Sequence, residues 1–270
     1  MPSPEARRPR RLKNPMRIPL IAANWKMHKN PAGTTSFFQS FLPLVETTVH
    51  CDIVICPSFL DIENALAATR GTRIRIGAQN LYWETEGAFT GEISGPMIKA
   101  AGCSYVIVGH SERRRYFGET DAGVLKKTVA ALHAGLTPIV CVGERQEKNA
   151  PATLAAQFQG GVAGLSNEQF AEIVIGYEPV WAIGDGETAT PEVAAGAHEC
   201  IRAQAKARFG AAAAHQLRIL YGGSVKPDNA GKLLAQPEID GFLVGGASLD
   251  PVSFAELVNF ETPAQAGRAS

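Results

Sequence analysis

The sequence of residues 105–142, YVIVGHSERRRYFGETDAGVLKKTVAALHAGLTPIVCV, contains one complete strand–helix–strand unit. Its first part, Tyr105–Gly109, is a short apolar run rich in β-branched residues. Apolar residues recur at helical spacing after Thr120, and Gly135 stands where a C-cap glycine belongs. A second apolar run, Pro138–Val142, follows. Neither run alternates apolar with polar residues, which is typical of strands buried on both faces of a parallel sheet.

The same pattern recurs along the chain, which has 270 residues, 45% of them hydrophobic. Thr190-Pro191-Glu192, for example, is typical of a helix start, and an alanine-rich helix is predicted over Pro191–Phe209. We predict an α/β fold, a single (β/α)8 barrel, for which about 250 residues are common. An open doubly wound sheet is the alternative, but it would cover eight buried strands poorly in so short a chain. The predicted strands are Leu20–Trp25, Asp52–Cys56, Ile74–Ala78, Tyr105–Gly109, Pro138–Val142, Ile173–Tyr177, Leu217–Tyr221 and Gly241–Val244.

The two ends of the chain differ in composition from the barrel sequence. Residues 1–16 are rich in Pro and Arg and lack the apolar segment of a secretory signal. We predict a disordered basic extension there, although organelle import or a weak anion contact is an alternative. A single barrel domain is expected over residues 17–262, followed by a loose C-terminal end at 263–270.

Composition excludes several classes of partner. Lys and Arg number 26 and Asp and Glu number 26, so no net charge holds the chain on nucleic acid or an anionic membrane. No apolar run approaches the roughly 20 residues of a membrane span. The five cysteines include no CxxC pair and no zinc-ligand spacing. We expect free thiols in a reducing cytoplasm, no metal, no nucleic-acid partner and no membrane association.

Polar residues and glycines follow several of the predicted strands. In a barrel of this kind the chemistry lies at the carboxyl ends of the strands. Strand 1 leads into residues 24–28, strand 4 into 109–114 and strand 6 into 177–184. Strands 7 and 8 lead into Gly-Gly turns. One lysine, one histidine, one glutamate and two glycine turns are therefore expected on one rim.

These segments resemble the triosephosphate isomerase family, whose members are TIM barrels. The resemblance covers nearly the whole chain, from Ile21 to Leu249. It implies an intramolecular aldose–ketose isomerase that interconverts dihydroxyacetone phosphate and D-glyceraldehyde 3-phosphate through an enediolate. This glycolytic and gluconeogenic reaction needs no metal or organic cofactor. The matching motifs are NWKMH at 24–28, GAFTGE at 87–92, GHSERR at 109–114, YEPVWAIG at 177–184, YGGSV at 221–225 and GFLVGGASL at 241–249.

The resemblance also implies the catalytic residues. Glu178 is the expected general base, and keeping it dry should make it a stronger base than in water. Lys26 is the expected fixed positive charge, paired with Glu112, and Asn24 supports the site. His110 is the expected electrophile.

His110 is expected to be neutral. It precedes a predicted helix with Ser111 as the cap, and the positive end of the helix dipole disfavours the imidazolium. The family is itself the standard illustration of such pKa tuning.

Phosphate binding is predicted to depend on backbone N–H groups. Gly223 with Ser224, and Gly245 with Gly246, leave room for close approach, and a short helix can follow strand 8. Tight turns without a ligand are the alternative reading.

A lid is predicted over Pro179 to Glu187, with the Gly184 N–H on the phosphate. Gly184-x-Gly186-x-x-Ala189 also matches a dinucleotide fingerprint. Residues 200–216 contain no acid to complete that fingerprint, so no nicotinamide cofactor is expected.

The stretch from Asn80 to Ile93 is long for a loop between a strand and a helix. It carries Tyr82, Trp83 and Phe89, and exposed apolar side chains on a projecting loop indicate a partner surface. The resemblance implies a homodimer in which loop 80–93 enters the neighbouring subunit and Thr90 supports the neighbour's site. The alternative is that the loop packs against its own barrel.

Three acidic residues depart from the family pattern: Asp185 and Glu187 in the lid, and Asp250, where a lysine is common. Two other functions compete with the isomerase. A metal-dependent phosphosugar epimerase would need His and Asp ligands on several strand ends, where only His110 is found. A catalytically inactive phosphate-binding barrel would not need the intact catalytic trio.

Overall fold

The computed structural model describes residues 17–183 and 188–260. The predicted ends at 1–16 and 263–270 and the lid residues 184–187 lie outside this described part. Eight parallel strands form a closed barrel in chain order, and the last strand pairs with the first. The strands are β1 Leu20–Asn24, β2 Asp52–Cys56, β3 Arg75–Ala78, β4 Tyr105–Val108, β5 Thr137–Val142, β6 Val174–Tyr177, β7 Arg218–Tyr221 and β8 Gly241–Val244.

The predicted barrel is therefore confirmed, and each predicted strand agrees with the observed one to within one residue at either end. Helices surround the strands throughout the described part of the chain. They are α1 Pro31–Val45, α2 Ile62–Ala68, α3 Gly95–Ala101, α4 Ser111–Tyr116, α5 Asp121–His133, α6 Ala150–Gly161, α7 Asn167–Ala171, α8 Pro191–Phe209, α9 Ala211–Gln216, α10 Pro227–Leu234 and α11 Pro251–Val258.

Side-chain caps explain where several helices begin. The Thr190 side chain accepts a hydrogen bond from the Val193 N–H at the start of α8, as predicted. Asp250 does the same for the Ser253 N–H at the start of α11. The acidic residue that departs from the family pattern at 250 thus has a structural role as an N-cap. Gly135 follows α5 with a φ of 73°, the left-handed conformation expected after a helix end.

The core has two layers, which explains why the strands are apolar without alternation. One layer fills the barrel interior and includes Leu20, Ala22, Val54, Ile107 and Ile139. The other lies between the strands and the helices, where neighbouring strand residues point outward. Both faces of each strand are buried, so the backbone ends of the strands are held rigidly at the two mouths of the barrel.

Candidate active site

A cavity of about 270 Å³ opens at the carboxyl ends of the strands. It brings together residues from the β1, β4, β6, β7 and β8 ends, and eight of the predicted site residues line it. Glu112 lines the adjoining groove, and Gly184 lies outside the described residues. The cavity also contains residues that were not predicted, notably Ile183, Val225 and Lys226. The eight predicted lining residues are Asn24, Lys26, His110, Glu178, Gly223, Ser224, Gly245 and Gly246.

Lys26 is held in an unusual backbone conformation directly after β1. Its φ is 53°, a left-handed value that costs a side chain-bearing residue roughly 1–2 kcal/mol. The Asn24 side chain accepts from the Lys26 N–H at 3.1 Å, and the Gln79 side chain donates to the Lys26 carbonyl at 2.8 Å. The ammonium donates to a Glu112 carboxylate oxygen at 2.6 Å, the pairing that the resemblance implied. Gln79 was not predicted, although its position directly after β3 placed it at the same rim.

His110 caps helix α4. Its Nδ1 accepts a hydrogen bond from the Glu112 N–H at 3.3 Å, and Ser111 is the first helical residue. The prediction of Ser111 as the cap was wrong, because the imidazole reaches the free N–H that the hydroxyl was expected to take. An Nδ1 that accepts a backbone N–H carries no proton, so the ring proton is assigned to Nε2.

The Nε2 atom of His110 lies 2.9 Å from Oε1 of Glu178. Burial lowers the pKa of His110, but the Glu178 carboxylate outweighs burial and places this pKa above its ordinary value. The backbone N–H at Nδ1 still favours the neutral ring, because a second proton would break that hydrogen bond. The pKa of His110 should therefore fall once Glu178 moves away from the ring.

The Glu178 carboxylate is almost fully buried, with 2% of its surface exposed. Besides His110, it accepts from the Ser111 N–H and from the Ser111 hydroxyl, each at 2.9 Å. Burial raises the pKa of Glu178, but His110 and Ser111 outweigh burial and hold this pKa below its ordinary value. The expectation that dryness makes Glu178 a stronger base is therefore wrong for this conformation. The carboxylate must leave these donors before it becomes strongly basic.

Gly143, directly after β5, determines how closely the Glu178 backbone approaches. The Glu178 N–H donates to the Val142 carbonyl at 2.8 Å, and a Cβ on Gly143 would overlap the Glu178 carbonyl oxygen. Gly143 was not predicted as a site residue. A glycine at a strand end is a usable signal for such close approach.

Glu144 anchors the segment that follows Glu178. It is buried and accepts from the Tyr177 hydroxyl at 2.9 Å and from the Trp181 indole N–H at 2.8 Å. Its carbonyl accepts from the Val180 N–H. Burial raises the pKa of Glu144 despite these donors. No sequence pattern points to this residue, because a single glutamate after a strand is equally compatible with an exposed surface position.

The two glycine turns differ in how much space surrounds their glycines. The Gly222 N–H donates to the Tyr177 carbonyl at 2.7 Å, and a Cβ on Gly223 would overlap the Tyr221 hydroxyl. Gly223 is thus required by packing as well as lining the cavity. Gly246 begins a 3-10 turn, Gly246–Ser248, and a Cβ there would project into open space. The β8 turn at Gly246 is therefore open to close approach from the cavity.

Within 17–183 and 188–260, no group of three or more His, Cys, Asp or Glu side chains could hold a metal ion. No helix in the same ranges is both long and apolar enough to cross a membrane.

Fold and site together define a TIM-barrel enzyme with a lysine, a histidine and a carboxylate at the carboxyl ends of its strands. The triosephosphate isomerase family model matches residues 19–261. The triosephosphate isomerase of Solibacter usitatus is 64% identical over 249 residues, covering 91% of this chain and 100% of that protein. That of Moorella thermoacetica is 51% identical over 250 residues, covering 91% of this chain and 100% of that protein.

A solved triosephosphate isomerase from Bartonella henselae superposes with a TM-score of 0.79 at 35% identity, covering 89% of this chain and 97% of that one. The chain belongs to the triosephosphate isomerase family. It interconverts dihydroxyacetone phosphate and D-glyceraldehyde 3-phosphate, an isomerase reaction of glycolysis. The epimerase and inactive-barrel alternatives are set aside.

Proposed function

We propose that Glu178, His110 and Lys26 perform this isomerisation. The observation that carries the proposal is their convergence, from the ends of β6, β4 and β1, on one cavity. Glu178 takes a proton from the carbon next to the substrate carbonyl, and the electron pair moves to the carbonyl oxygen. His110 Nε2–H and the Lys26 ammonium stabilise the resulting enediolate. The hydroxyl proton passes from one enediolate oxygen to the other by way of His110 Nε2. Glu178 then returns its proton to the adjacent carbon as the new carbonyl forms, so no metal or organic cofactor is required.

The hydrogen bonds of Glu178 define the first conformational step of this mechanism. A substrate oxygen that accepts from His110 Nε2 replaces Oε1 of Glu178, which lies at 2.9 Å from that nitrogen. Separation from His110 removes the main influence that lowers the pKa of Glu178. Substrate binding thereby increases the basicity of the carboxylate at the moment it is needed. Asn24 and Glu112 support the step by fixing Lys26.

The substrate phosphate is proposed to bind at the β7 and β8 turns. Gly223 and Ser224, which follow β7, and Gly245 and Gly246, which follow β8, all line the cavity. The first N–H groups of a helical turn have no partner within the turn, which suits them to an anion. The contact from Gly184 belongs to the same proposal.

A measurement in D2O tests the proton-transfer mechanism. With purified protein and dihydroxyacetone phosphate, the product should carry solvent deuterium at the carbon next to its carbonyl. Deuterium enters because a carboxylic acid exchanges its proton with solvent between the two transfers. NMR of the product that showed only the original hydrogen there would contradict exchange of the Glu178 proton with solvent during the reaction.

A homodimer through loop 80–93 is part of the proposal. Within the loop, Tyr82 stacks on Trp83 at 4.3 Å between ring centroids, so these two rings are partly used within the subunit. Phe89 remains 41% exposed, and Thr90 is exposed beside it. The loop tip thus offers an apolar and a polar side chain to a partner.

A groove suited to this loop tip lies beside the cavity. It encloses about 220 Å³ and is bordered by Met27, which is 95% exposed, and Phe117, which is 66% exposed. Lys26 and Glu112 also line it. A partner's Thr90 in this groove would lie next to the Lys26–Glu112 pair. The dimer would therefore cover apolar surface and support each active site.

Sedimentation equilibrium tests the dimer. Thr90→Arg adds a long charged side chain at the proposed contact and should yield monomers. Thr47→Arg is the matched control, because Thr47 is an exposed threonine just after α1. A monomeric wild type, or a Thr90→Arg variant that remains dimeric, would contradict the proposed interface.

We also propose that the enzyme works in the cytoplasm, in keeping with four buried cysteines and no disulfide among the described residues.

A further inference from the structure

The loop that follows β1 contacts the turn that follows β8 through two side chains. The Trp25 indole N–H donates to the Ser248 carbonyl at 3.2 Å. The Lys29 ammonium donates to the Leu249 carbonyl at 2.8 Å. These carbonyls are consecutive and lie at the end of the 3-10 turn Gly246–Ser248. The placement of that turn therefore depends on side chains of the β1 loop.

Backbone strain is concentrated in the same loop. Within 17–183 and 188–260, Lys26 and Lys29 are the residues other than glycine with positive φ, at 53° and 71°. Left-handed conformations of such residues persist only where surrounding contacts outweigh their cost. The left-handed backbone at Lys26 belongs to the residue whose ammonium is proposed to act in catalysis. The strain at Lys29 needs a separate explanation, since Lys29 does not line the cavity and its ammonium binds the Leu249 carbonyl.

The Lys29 ammonium is fixed by neighbours on several sides. It lies 5.1 Å from the centroid of the Trp25 ring and 4.8 Å from that of Phe37. Both distances are within the range of cation–π attraction. Together with the hydrogen bond to Leu249, these contacts restrain a side chain that would otherwise be mobile in solvent.

The direction of the contact matters for the phosphate. In a helical turn the free carbonyls point toward its C-terminal end and the free N–H groups toward its N-terminal end. Lys29 places a positive charge at the carbonyl end, while Gly245 and Gly246 line the cavity at the other end. Ser248 reinforces the turn, because its hydroxyl donates to the Gly245 carbonyl at 2.6 Å.

We propose that Lys29 is a positioning residue for phosphate binding: its ammonium holds the β8 turn so that the Gly245 and Gly246 N–H groups face the substrate phosphate. The inference rests on the proposed phosphate site at this turn. Lys29 acts on the phosphate end of the site, where no bond changes during the reaction. Loss of the contact should therefore weaken substrate binding more than it slows turnover.

Variants at Lys29 test the inference. Lys29→Met keeps most of the aliphatic stem and removes the charge and the N–H donors. We expect its KM for dihydroxyacetone phosphate and its Kd for inorganic phosphate to rise about tenfold, with kcat within about threefold of wild type. Lys29→Arg retains a charged donor and should restore both constants to within about threefold.

Lys99→Met is the matched control. The Lys99 ammonium donates to the Gly135 carbonyl at 2.7 Å, so this variant loses the same kind of bond on α3, away from the cavity. Its KM and phosphate Kd should equal those of the wild type. The comparison separates a general effect of losing a lysine–carbonyl bond from an effect on the phosphate.

Three results would overturn the inference, and they can be told apart. A Lys29→Met variant with a lower melting temperature but wild-type KM and phosphate Kd would have lost stability alone. A lower kcat with unchanged KM would place Lys29 in the chemical step. Inorganic phosphate that does not compete with substrate in the wild type would remove the proposed phosphate site itself, an outcome that involves no variant.

Discussion

The two mouths of the barrel hold buried charge in different ways. At the amino end, the Asp240 carboxylate accepts from the guanidinium groups of Arg17 and Arg202 and from the Ile219 N–H. At the carboxyl end, the Glu178 carboxylate accepts from Ser111 and from the imidazole of His110. Arginine carries a permanent charge and a rigid fork of donors, whereas serine and a neutral imidazole do not. The amino end is therefore fixed, and the carboxyl end can exchange partners.

The cations at the two ends differ in the same way. Arg202 donates to Glu238 and Asp240 and also to the Ala214 and Leu217 carbonyls. It cannot move without breaking several bonds. The Lys26 ammonium donates to Glu112, whose side chain is 41% exposed. The carboxyl end must rearrange around the substrate. Lys26 can move there by breaking only its partly exposed hydrogen bond to Glu112.

Replacement of Glu178 should give the largest effect. Glu178→Gln can still accept from the Ser111 N–H but cannot take a proton from carbon. We expect kcat to fall by between about 10² and 10⁴, or more, with little change in melting temperature. A coupled isomerase assay and thermal unfolding of the same preparation provide both readings. Turnover within tenfold of wild type would remove Glu178 from the mechanism.

Replacement of Arg202 should show the reverse pattern. Arg202→Met keeps much of the side-chain volume but removes one of the two guanidinium partners of Asp240 and the guanidinium that pairs with Glu238. We expect the free energy of unfolding to fall by about 3–5 kcal/mol, as when one partner of a buried ion pair is removed. The kcat of the folded enzyme should be unchanged. A denaturant titration combined with an assay at low temperature checks this, and a large loss of kcat would contradict the separation of the two mouths.

His198, a buried residue of α8 that packs against the Tyr177 ring, links stability to pH. Burial lowers its pKa to about 3, and its Nδ1 lies 3.0 Å from the Glu238 carbonyl. Because the pKa in the folded state is below that in the unfolded state, His198 contributes stability above pH 6.5 that is lost as the pH falls. Relative to His198→Gln, wild type should lose about 2 kcal/mol of unfolding free energy between pH 6.5 and 5. Denaturant titrations across this range measure the difference, and parallel curves would show that His198 does not titrate in this way.

Sequence reasoning succeeded where chemistry follows directly from position along the chain. The barrel was predictable because strands buried on both faces are uniformly apolar, as in β5 Thr137–Val142. Lys26, His110 and Glu178 could be placed on one rim because the carboxyl ends of parallel strands meet there. Their motifs also resemble a family with a known reaction.

What the sequence did not reveal depends on contacts between distant segments. Nothing in the amino-acid sequence shows that the Glu144 carboxylate accepts a hydrogen bond from the Tyr177 hydroxyl. Nor does it show that the missing side chain of Gly143 lets the Glu178 backbone lie against it. The low pKa of Glu178 was missed because it comes from His110 and Ser111, whose distances to the carboxylate are tertiary facts. For the same reason His110 took the capping position that the pattern assigned to Ser111.

Replacement of Glu112 should give the smallest effect and tests the comparison most finely. Glu112→Gln keeps an acceptor for Lys26 but removes the negative charge. An ion pair this exposed contributes about 0.2–1 kcal/mol, so kcat/KM should fall by no more than about fivefold. Steady-state kinetics at low and moderate salt measure it, and the effect should shrink as salt screens the pair. A hundredfold loss that salt does not change would mean that Lys26 is held as rigidly as Arg202, and the carboxyl end would then owe its adaptability to Glu178 alone.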